Sequence, residues 1–486
     1  MNQHTVSQFQ IMFLLWSLSV AAYMPTLSGE FLLDDASYIT MNKTLAAPLD
    51  WVRFLFDASA IHANPVLSLH SYRPLVGFYF GLMFQAFGLI PFWYHLMALF
   101  IHGLNTCLVF IFSTRLLGRE ATVASVCAAI LFMLHPAQVE SVAYISNAPN
   151  LLSHFFVFLT FLAYQSKTRS TLFPSITFAA ALLFRESGAA LLPMIIIYDL
   201  VLLSPALKPR EYIKRWAPYA AILAGFFLLR WMVLGQFANR GPWGGDWFHH
   251  VGFAIQGLFQ NLTTGIWPAN LRVCYSFPTT TSFLTVFLKG SALLGFAAAT
   301  IWALRKRPLI GFSLALIGVT LFPVSNLIPI DALAADRYLY SPLVGFVLLW
   351  ALMVRSWKIP KAVAATAGLL LFFGLRSLET QFAWQNQYVL DLAAHAAAPE
   401  DPCTEANLAS HYANWRMFST AESYLASALR RPAQQNINQS ALYMMAFIRI
   451  KDGRPREAIP FLQQALLFSP NDAEIKGMLQ YCRMFS

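Results

Sequence analysis

Apolar residues in this chain come in long unbroken runs separated by short polar stretches. Runs suited to cross a bilayer as helices recur at 10–27, 92–114, 121–135, 150–166, 171–184, 187–204, 216–235, 282–304, 309–328, 338–354 and 362–378. By the ~20-residue criterion that is about eleven spans, several of them short. Arg185 and Glu186 break the apolar stretch 171–204 into two. Residues 10–27 (QIMFLLWSLSVAAYMPTL) resemble the core of a signal peptide, but no Lys or Arg precedes them, so they read as an uncleaved first span.

After Thr380 the pattern changes. Long apolar runs stop, and Ala-rich helical spacing takes over. Residues 403–432 read as a helix pair ending in Arg431-Pro432. Residues 440–470 repeat the plan with Gly453, Ala458, Ala465 and Phe468-Ser469-Pro470. An A-x3-F…P pattern at a period of about 34 residues is that of tetratricopeptide repeats. Ala421 to Ala458 exceeds this period, so an insertion separates the units, and 473–484 reads as a capping helix. The expected fold is all-α. A polytopic membrane helical bundle over 1–380 is followed by a tetratricopeptide-like repeat domain over 381–486. Two repeats are marginal alone, so that domain should pack on the membrane part.

Composition agrees with lipid burial. The chain is 57% hydrophobic and 12% charged, half the ~25% charge of soluble domains. Aromatic residues make up 15%, including 42 Phe, which suits lipid-facing and interfacial positions. The net charge of +10 does not point to nucleic acid, because the basic residues sit between apolar runs. They act there as orientation signals. Arg115/Arg119, Lys167/Arg169, Lys208 to Arg215, Arg305-Lys306-Arg307 and Arg355/Lys358/Lys361 all fall on one side, which is then cytoplasmic. The N-terminus is inside. The first loop (28–91) and the C-terminal domain are outside, in the periplasm if the membrane is a bacterial inner membrane. Residues 74–90 (PLVGFYFGLMFQAFGLI) are apolar enough to span, but counting them would invert every later loop. They read as a helix lying in the outer interface, with 251–266 a candidate for a second.

The five cysteines form no CxxC pair and no Cys/His cluster, which argues against structural zinc. Cys107 and Cys127 lie inside apolar runs; Cys274, Cys403 and Cys482 lie outside them. Asn261-Leu262-Thr263 matches the N-glycosylation sequon, a motif short enough to arise by chance.

Polar chemistry concentrates on the outer side. Asp34-Asp35 follow the first span, where adjacent carboxylates suit a general base or a metal ligand, or else a solvated pair anchoring a helix end. Tyr72-Arg73-Pro74 precede the interfacial helix. His135 and Glu140 sit in HPAQVE, followed by Ser146-Asn147-Ala148-Pro149-Asn150. Arg185-Glu186-Ser187 form a tight outer turn, and Arg240 and Asp246 lie in a Gly- and Trp-rich loop. Asp331, Asp336 and Arg337 belong to DALAADRYLYSP. Each has a structural reading: an internal ion pair for Arg185-Glu186, a Pro-capped helix end for His135, an interfacial anchor for Arg337. Together they favour function, because acids, His and Arg from separate loops meet on one face. Arginines at an outer-leaflet cavity suit a phosphate or diphosphate, whose oxygens the guanidinium fork binds bidentately. There is no GxGxxG after a strand, no P-loop, no HExxH and no GxSxG; the missing P-loop argues against an ATP-driven pump.

FLLDDASYI, SYRPLVGF, HPAQVESVAYISNAPNLLS, FRESGAALLPMIIIYDL and SNLIPIDALAADRYLYSPLVGF occur in this order, with repeats at the end. The arrangement resembles the GT-C superfamily of polyprenyl-phosphate-sugar glycosyltransferases. Within it, the chain looks most like the transmembrane O-mannosyltransferases that carry tetratricopeptide repeats, and their bacterial relatives. The resemblance covers nearly the whole chain. It implies inverting transfer of one sugar from a lipid phosphate to an acceptor outside the cytoplasm. The acceptor would be Ser/Thr hydroxyls of a secreted, pilus- or flagellum-type protein recruited by the repeats. Asp34 then matches the first acid of the family's pair and is the general base. Asp35 supports it, or joins it in holding a divalent metal. Arg73, Arg185 and Arg337 face the lipid phosphate. Tyr72, His135, Glu140, Asn147, Glu186 and Asp336 shape the sugar or acceptor pocket.

Two departures bear on the substrate. Leu33 stands where an aromatic residue commonly precedes the acids. The segment after HPAQVE is uncharged where the family often carries a basic residue and an acid. The donor sugar is therefore open, to a pentose as well as a hexose. A ligase moving a glycan from a lipid diphosphate and a non-catalytic transporter or scaffold are the alternatives.

Overall fold

A computed structural model describes residues 7–63, 71–166, 171–203, 208–235, 241–278, 282–431, 435–469 and 472–484. Lys167, Arg169, Arg240, Pro432 and Pro470, singled out above, lie outside them. Among the described residues there are twenty α-helices and no strand. In the membrane part these are α1 (Gln8–Ala22), α2 (Pro74–Phe87), α3 (Pro91–Leu117), α4 (Thr122–Leu134), α5 (Gln138–Ala143), α6 (Ala148–Gln165), α7 (Leu172–Phe184), α8 (Leu191–Val201), α9 (Pro209–Leu234), α10 (Trp247–Ile266), α11 (Phe283–Lys306), α12 (Pro308–Leu321), α13 (Pro342–Val354) and α14 (Ile359–Ala383). The tail adds α15 (Gln387–Ala397), α16 (Pro402–Asn414), α17 (Phe418–Leu429), α18 (Gln435–Lys451), α19 (Pro455–Phe468) and α20 (Ala473–Arg483).

Each of the eleven apolar runs carries a helix among its described residues. Five helical segments are long and apolar enough to cross a bilayer unaided: Pro91–Leu117, Ile145–Gln165, Pro209–Leu234, Phe283–Lys306 and Ile359–Ala383. The chain is thus a multi-span helical membrane protein. The remaining runs give shorter helices for local reasons. α4 stops at Leu134 because His135 precedes a proline and takes extended backbone. α7 and α8 are parted by extended Arg185 and a 3₁₀ turn, Glu186–Ala190. α8, with 11 residues, spans only about 16 Å at 1.5 Å per residue. The sequon residue Asn261 is buried in α10.

A polar knot sits at the centre of the apolar bundle. Asn105 Nδ2 of α3 donates to the carbonyl of Leu151 in α6 and to the Tyr340 hydroxyl, both at 3.0 Å. His102 of α3 meets the same hydroxyl at 2.9 Å. The Asn105 amide nitrogen, both His102 ring nitrogens and the Tyr340 hydroxyl are all paired there, which limits the cost of burying them in an apolar interior. Its consequence is positional: Tyr340 pins the end of the RYLY stretch, three residues from Arg337.

Within the first loop, the described residues 28–63 and 71–91 fold back on the bundle through short 3₁₀ turns and α2. α2 starts at Pro74, whose missing N–H costs nothing there, and stops at Gly88 with φ +59°. Its glycines face aromatic rings. A Cβ at Gly77 would stand 2.5 Å from the Phe54 ring, and one at Gly81 2.8 Å from Trp51. Those glycines let α2 lie flat on its own loop.

In the tail, α16/α17 and α18/α19 are helix pairs that pack through Ala409, Ala421, Ala441, Ala446, Ala458 and Ala465, all buried. α20 covers the last pair with Ile475, Leu479 and Cys482. α15 precedes these pairs and was not anticipated from the repeat pattern.

Candidate active site

Loops from one end of the bundle interlock, and the arginines are where they join. Arg73, before α2, makes a two-pronged ion pair with Glu186 in the turn after α7, at 2.9 and 2.6 Å. Arg337 pairs with Glu140 of α5, and its backbone N–H donates to the same carboxylate at 2.7 Å. Arg185 Nη1 donates to the Asn147 side-chain oxygen at 2.9 Å. Each predicted phosphate-facing arginine thus meets a predicted pocket residue.

These contacts are not equivalent electrically. Burial alone would raise the Glu186 carboxyl, but Arg73, with Arg230 and Arg185 nearby, holds it well below the usual carboxylate range. Burial and then Arg73 bring the Arg185 guanidinium down to about 10. Arg73 and Arg337 each hold a carboxylate, whereas Arg185 donates to a neutral amide. Arg185 and Arg337 line one narrow cleft with Asn150, His154, Ser187 and Tyr338. An anion entering that cleft would meet a positive end that its neighbours leave incompletely balanced.

The two acids of the first loop separate. Asp35 is buried, and its carboxylate accepts from Leu32 N–H at 2.8 Å, from Ser146 N–H at 2.7 Å and from the Ser146 hydroxyl. Burial, partly offset by these hydrogen bonds, raises this carboxyl to about 7. Asp34 is exposed, and its backbone N–H donates to the Tyr144 hydroxyl at 3.1 Å. Asp35 therefore fastens the first loop to the segment after α5, leaving Asp34 free to face solvent. The pair does not present two carboxylates to one ion. Among the described residues no group of three His, Cys, Asp or Glu side chains suits a metal.

Tyr38 links the acid to the arginines. Its hydroxyl, pushed up by burial, lies in the fields of Arg73, Asp34, Arg185 and Glu186. The His62 ring lies tilted against the Tyr38 ring, centroids 4.3 Å apart, and meets the Ser71 hydroxyl at 2.8 Å. Burial lowers His62 to about 3, so it is neutral.

Two predicted pocket residues do structural work instead. The Tyr72 hydroxyl donates to the Leu55 carbonyl at 2.9 Å, inside the first loop. His135 Nδ1 accepts from Ala137 N–H at 3.3 Å, closing the end of α4, and its ring meets Phe373 of α14 edge-on. Asp336 is buried and accepts from the Tyr275 hydroxyl at 2.6 Å and from Arg272 N–H at 3.3 Å. Burial and then the Glu140 charge raise Asp336 well above the usual carboxylate range.

The loop carrying Arg272 and Tyr275 was missed by sequence reasoning, and so was its tie to the tail. Cys274 is disulfide-bonded to Cys403 of α16, and Arg272 pairs with Asp401 at 3.2 Å. The sequence held a partial signal: Cys274, Cys403 and Cys482 lie outside every apolar run, but nothing in their spacing says which two pair.

The chain is 24% identical to the protein O-mannosyl-transferase TMTC1 of Homo sapiens over 464 residues, covering 82% of this chain and 52% of that protein. It is 24% identical to human TMTC4 over 472 residues, covering 82% and 63%. Mouse TMTC1 is 29% identical over 204 residues, 38% of this chain and 22% of that one. The chain is similar to the protein O-mannosyl-transferases. It spans about half to two thirds of the length of these first two relatives. No family model and no solved structure matches it significantly. The likeness to these O-mannosyl-transferases runs along most of the chain.

Proposed function

We propose that this chain is an integral-membrane glycosyltransferase that moves one sugar from a polyprenyl-phosphate donor to a protein Ser/Thr hydroxyl on the non-cytoplasmic side. The observation that carries this reading is that Arg73, Arg185 and Arg337, from three separate loops, lie within electrostatic reach of one another, while Tyr38 and Tyr144 lie in the fields both of these arginines and of the exposed Asp34. Similarity to protein O-mannosyl-transferases supports the same class of chemistry.

Asp34 takes the proton of the acceptor hydroxyl as its oxygen bonds to the anomeric carbon. The bond from that carbon to the phosphate oxygen breaks, and the electron pair leaves with the lipid phosphate. Arg185, with Arg337 across the cleft, balances the charge that gathers on the departing oxygens. Attack opposite the leaving group inverts the anomeric centre. Arg73 and Glu186 hold the turn that presents Arg185.

The orientation is supported by the basic loops and by the Cys274–Cys403 disulfide, since disulfides persist in oxidising compartments outside the cytoplasm. The sugar donor, the bacterial inner membrane as location and a secreted, pilus- or flagellum-type acceptor belong to this proposal. So does the division into a catalytic part over 1–380 and an acceptor-handling part over 381–486.

Purified protein given polyprenyl-phosphate mannose or a polyprenyl-phosphate pentose, with a Ser/Thr-rich acceptor, should add single-sugar mass increments. Oligosaccharide increments, seen only with a lipid diphosphate glycan, would move the assignment to a ligase. No transfer from any of these donors would leave the scaffold reading.

A further inference from the structure

The residue before the exposed acid has an unusual backbone. Leu33 has φ +50°, in the left-handed region, and its side chain is exposed. That conformation costs a non-glycine residue on the order of 1 kcal/mol and persists only where the surroundings enforce it.

The enforcement is visible in the four backbone N–H groups around the acid. Leu32 donates to the Asp35 carboxylate, Asp34 to the Tyr144 hydroxyl, and Asp35 back to the Leu32 carbonyl at 2.9 Å. Those three partners belong to the first loop and the segment after α5. The fourth group, Leu33 N–H, donates to Oε1 of Gln387, the first residue of α15, at 3.1 Å. The strained residue is thus gripped from the C-terminal part of the chain.

Gln387 is itself held. Its Nε2 donates to Asp391 Oδ2, one turn along α15, at 2.9 Å. Asp391 also accepts from Asn407 Nδ2 and meets His411 Nε2, each at 2.9 Å, both from α16. A further set of contacts fixes the start of α15 to the first loop. Glu30 N–H donates to the Gln385 carbonyl, Asn386 Nδ2 to the Glu30 carboxylate, and Gln385 Nε2 to the Pro25 carbonyl, at 3.0, 3.1 and 2.7 Å. An unbroken line of hydrogen bonds therefore runs from the first repeat helix to the residue beside Asp34.

We propose that Gln387 is a positioning residue: through Leu33 it sets the aim of the Asp34 carboxylate, so the C-terminal helical part is mechanically joined to the acid. This rests on Asp34 being the base of the transfer proposed above. It assigns to α15 a role in catalysis distinct from recruiting an acceptor.

The test uses the full-length protein, purified in detergent, with kcat and KM measured for the lipid donor. Gln387→Met keeps the side-chain volume and removes the acceptor oxygen. It should lower kcat on the order of tenfold to a hundredfold, the effect of a misaimed group, with donor KM within about twofold of the parent. Gln387→Glu paired with Asp391→Asn restores an oxygen facing Leu33 and reverses the bond behind it, and should recover most of the lost kcat. Asp34→Asn is run alongside. If Asp34→Asn is inactive and Gln387→Met keeps its kcat within about twofold, the positioning role is wrong and the base stands. If Gln387→Met is slow and the paired variant does not recover, the loss is one of packing and the proposal fails. If Asp34→Asn stays active, the base itself is wrong and the positioning role falls with it.

Discussion

Asp35 shows how much one buried carboxylate can organise, and its titration gives a direct check. It takes three hydrogen bonds while shielded from water, and its carboxyl is raised to about 7 from an unfolded value near 3.9. The folded state then binds the proton more tightly than the unfolded chain. Stability from this group is full below about pH 4 and is lost as pH rises through about 7. Asp35→Asn has no such titration. The stability advantage of the parent over Asp35→Asn should therefore shrink by a few kcal/mol between about pH 4 and 7, read from melting curves in detergent. An advantage that grows with pH would contradict the burial argument. At this scale the sequence was informative about residue type and partial about role. The acids, arginines and amides were legible because ionisable groups cluster where helices end. Which acid faces solvent was not, because it depends on Ser146, 111 residues away. Tyr72 and His135 looked like pocket residues by position, yet the Tyr72 hydroxyl and the His135 Nδ1 are used in local backbone contacts.

α10 positions the Asp336–Arg337 turn by close backbone approach. A Cβ at Gly257 would stand 2.2 Å from the Leu333 carbonyl oxygen, a backbone atom that cannot swing aside. Gly257→Ala should therefore push away the strand of chain that delivers Asp336 and Arg337. Overpacking of this kind costs about 1–3 kcal/mol, and transfer should fall more steeply than the melting temperature suggests, with a raised donor KM. Parent-like kinetics would mean that α10 does not set this turn. The apolar runs made the helices legible because a bilayer demands long unbroken hydrophobic stretches. Shorter pieces were not: the 3₁₀ turns of the first loop carry no period, and α15 follows α14 after only a three-residue break.

Across the whole molecule, α15 is tied to the membrane part near both ends: Gln385–Gln387 hold the first loop, and Asp401–Cys403 just beyond it hold the loop of Arg272 and Tyr275. The pairing of residues 129 apart could not be read from spacing, since either cysteine could have been free. Counting thiols tests it. Denatured, unreduced protein should label Cys107, Cys127 and Cys482 with maleimide, three of five, and all five after reduction. Five labels before reduction would remove both the disulfide and its support for an oxidising compartment. The central claim is that Asp34 activates an acceptor hydroxyl on the face shared by the arginines and the tail. The most direct measurement is the intact mass of an acceptor protein co-expressed with the parent or with Asp34→Asn. Single-sugar increments with the parent, and none with a variant that keeps the parent's melting temperature, are the predicted result. Equal increments with both would contradict it.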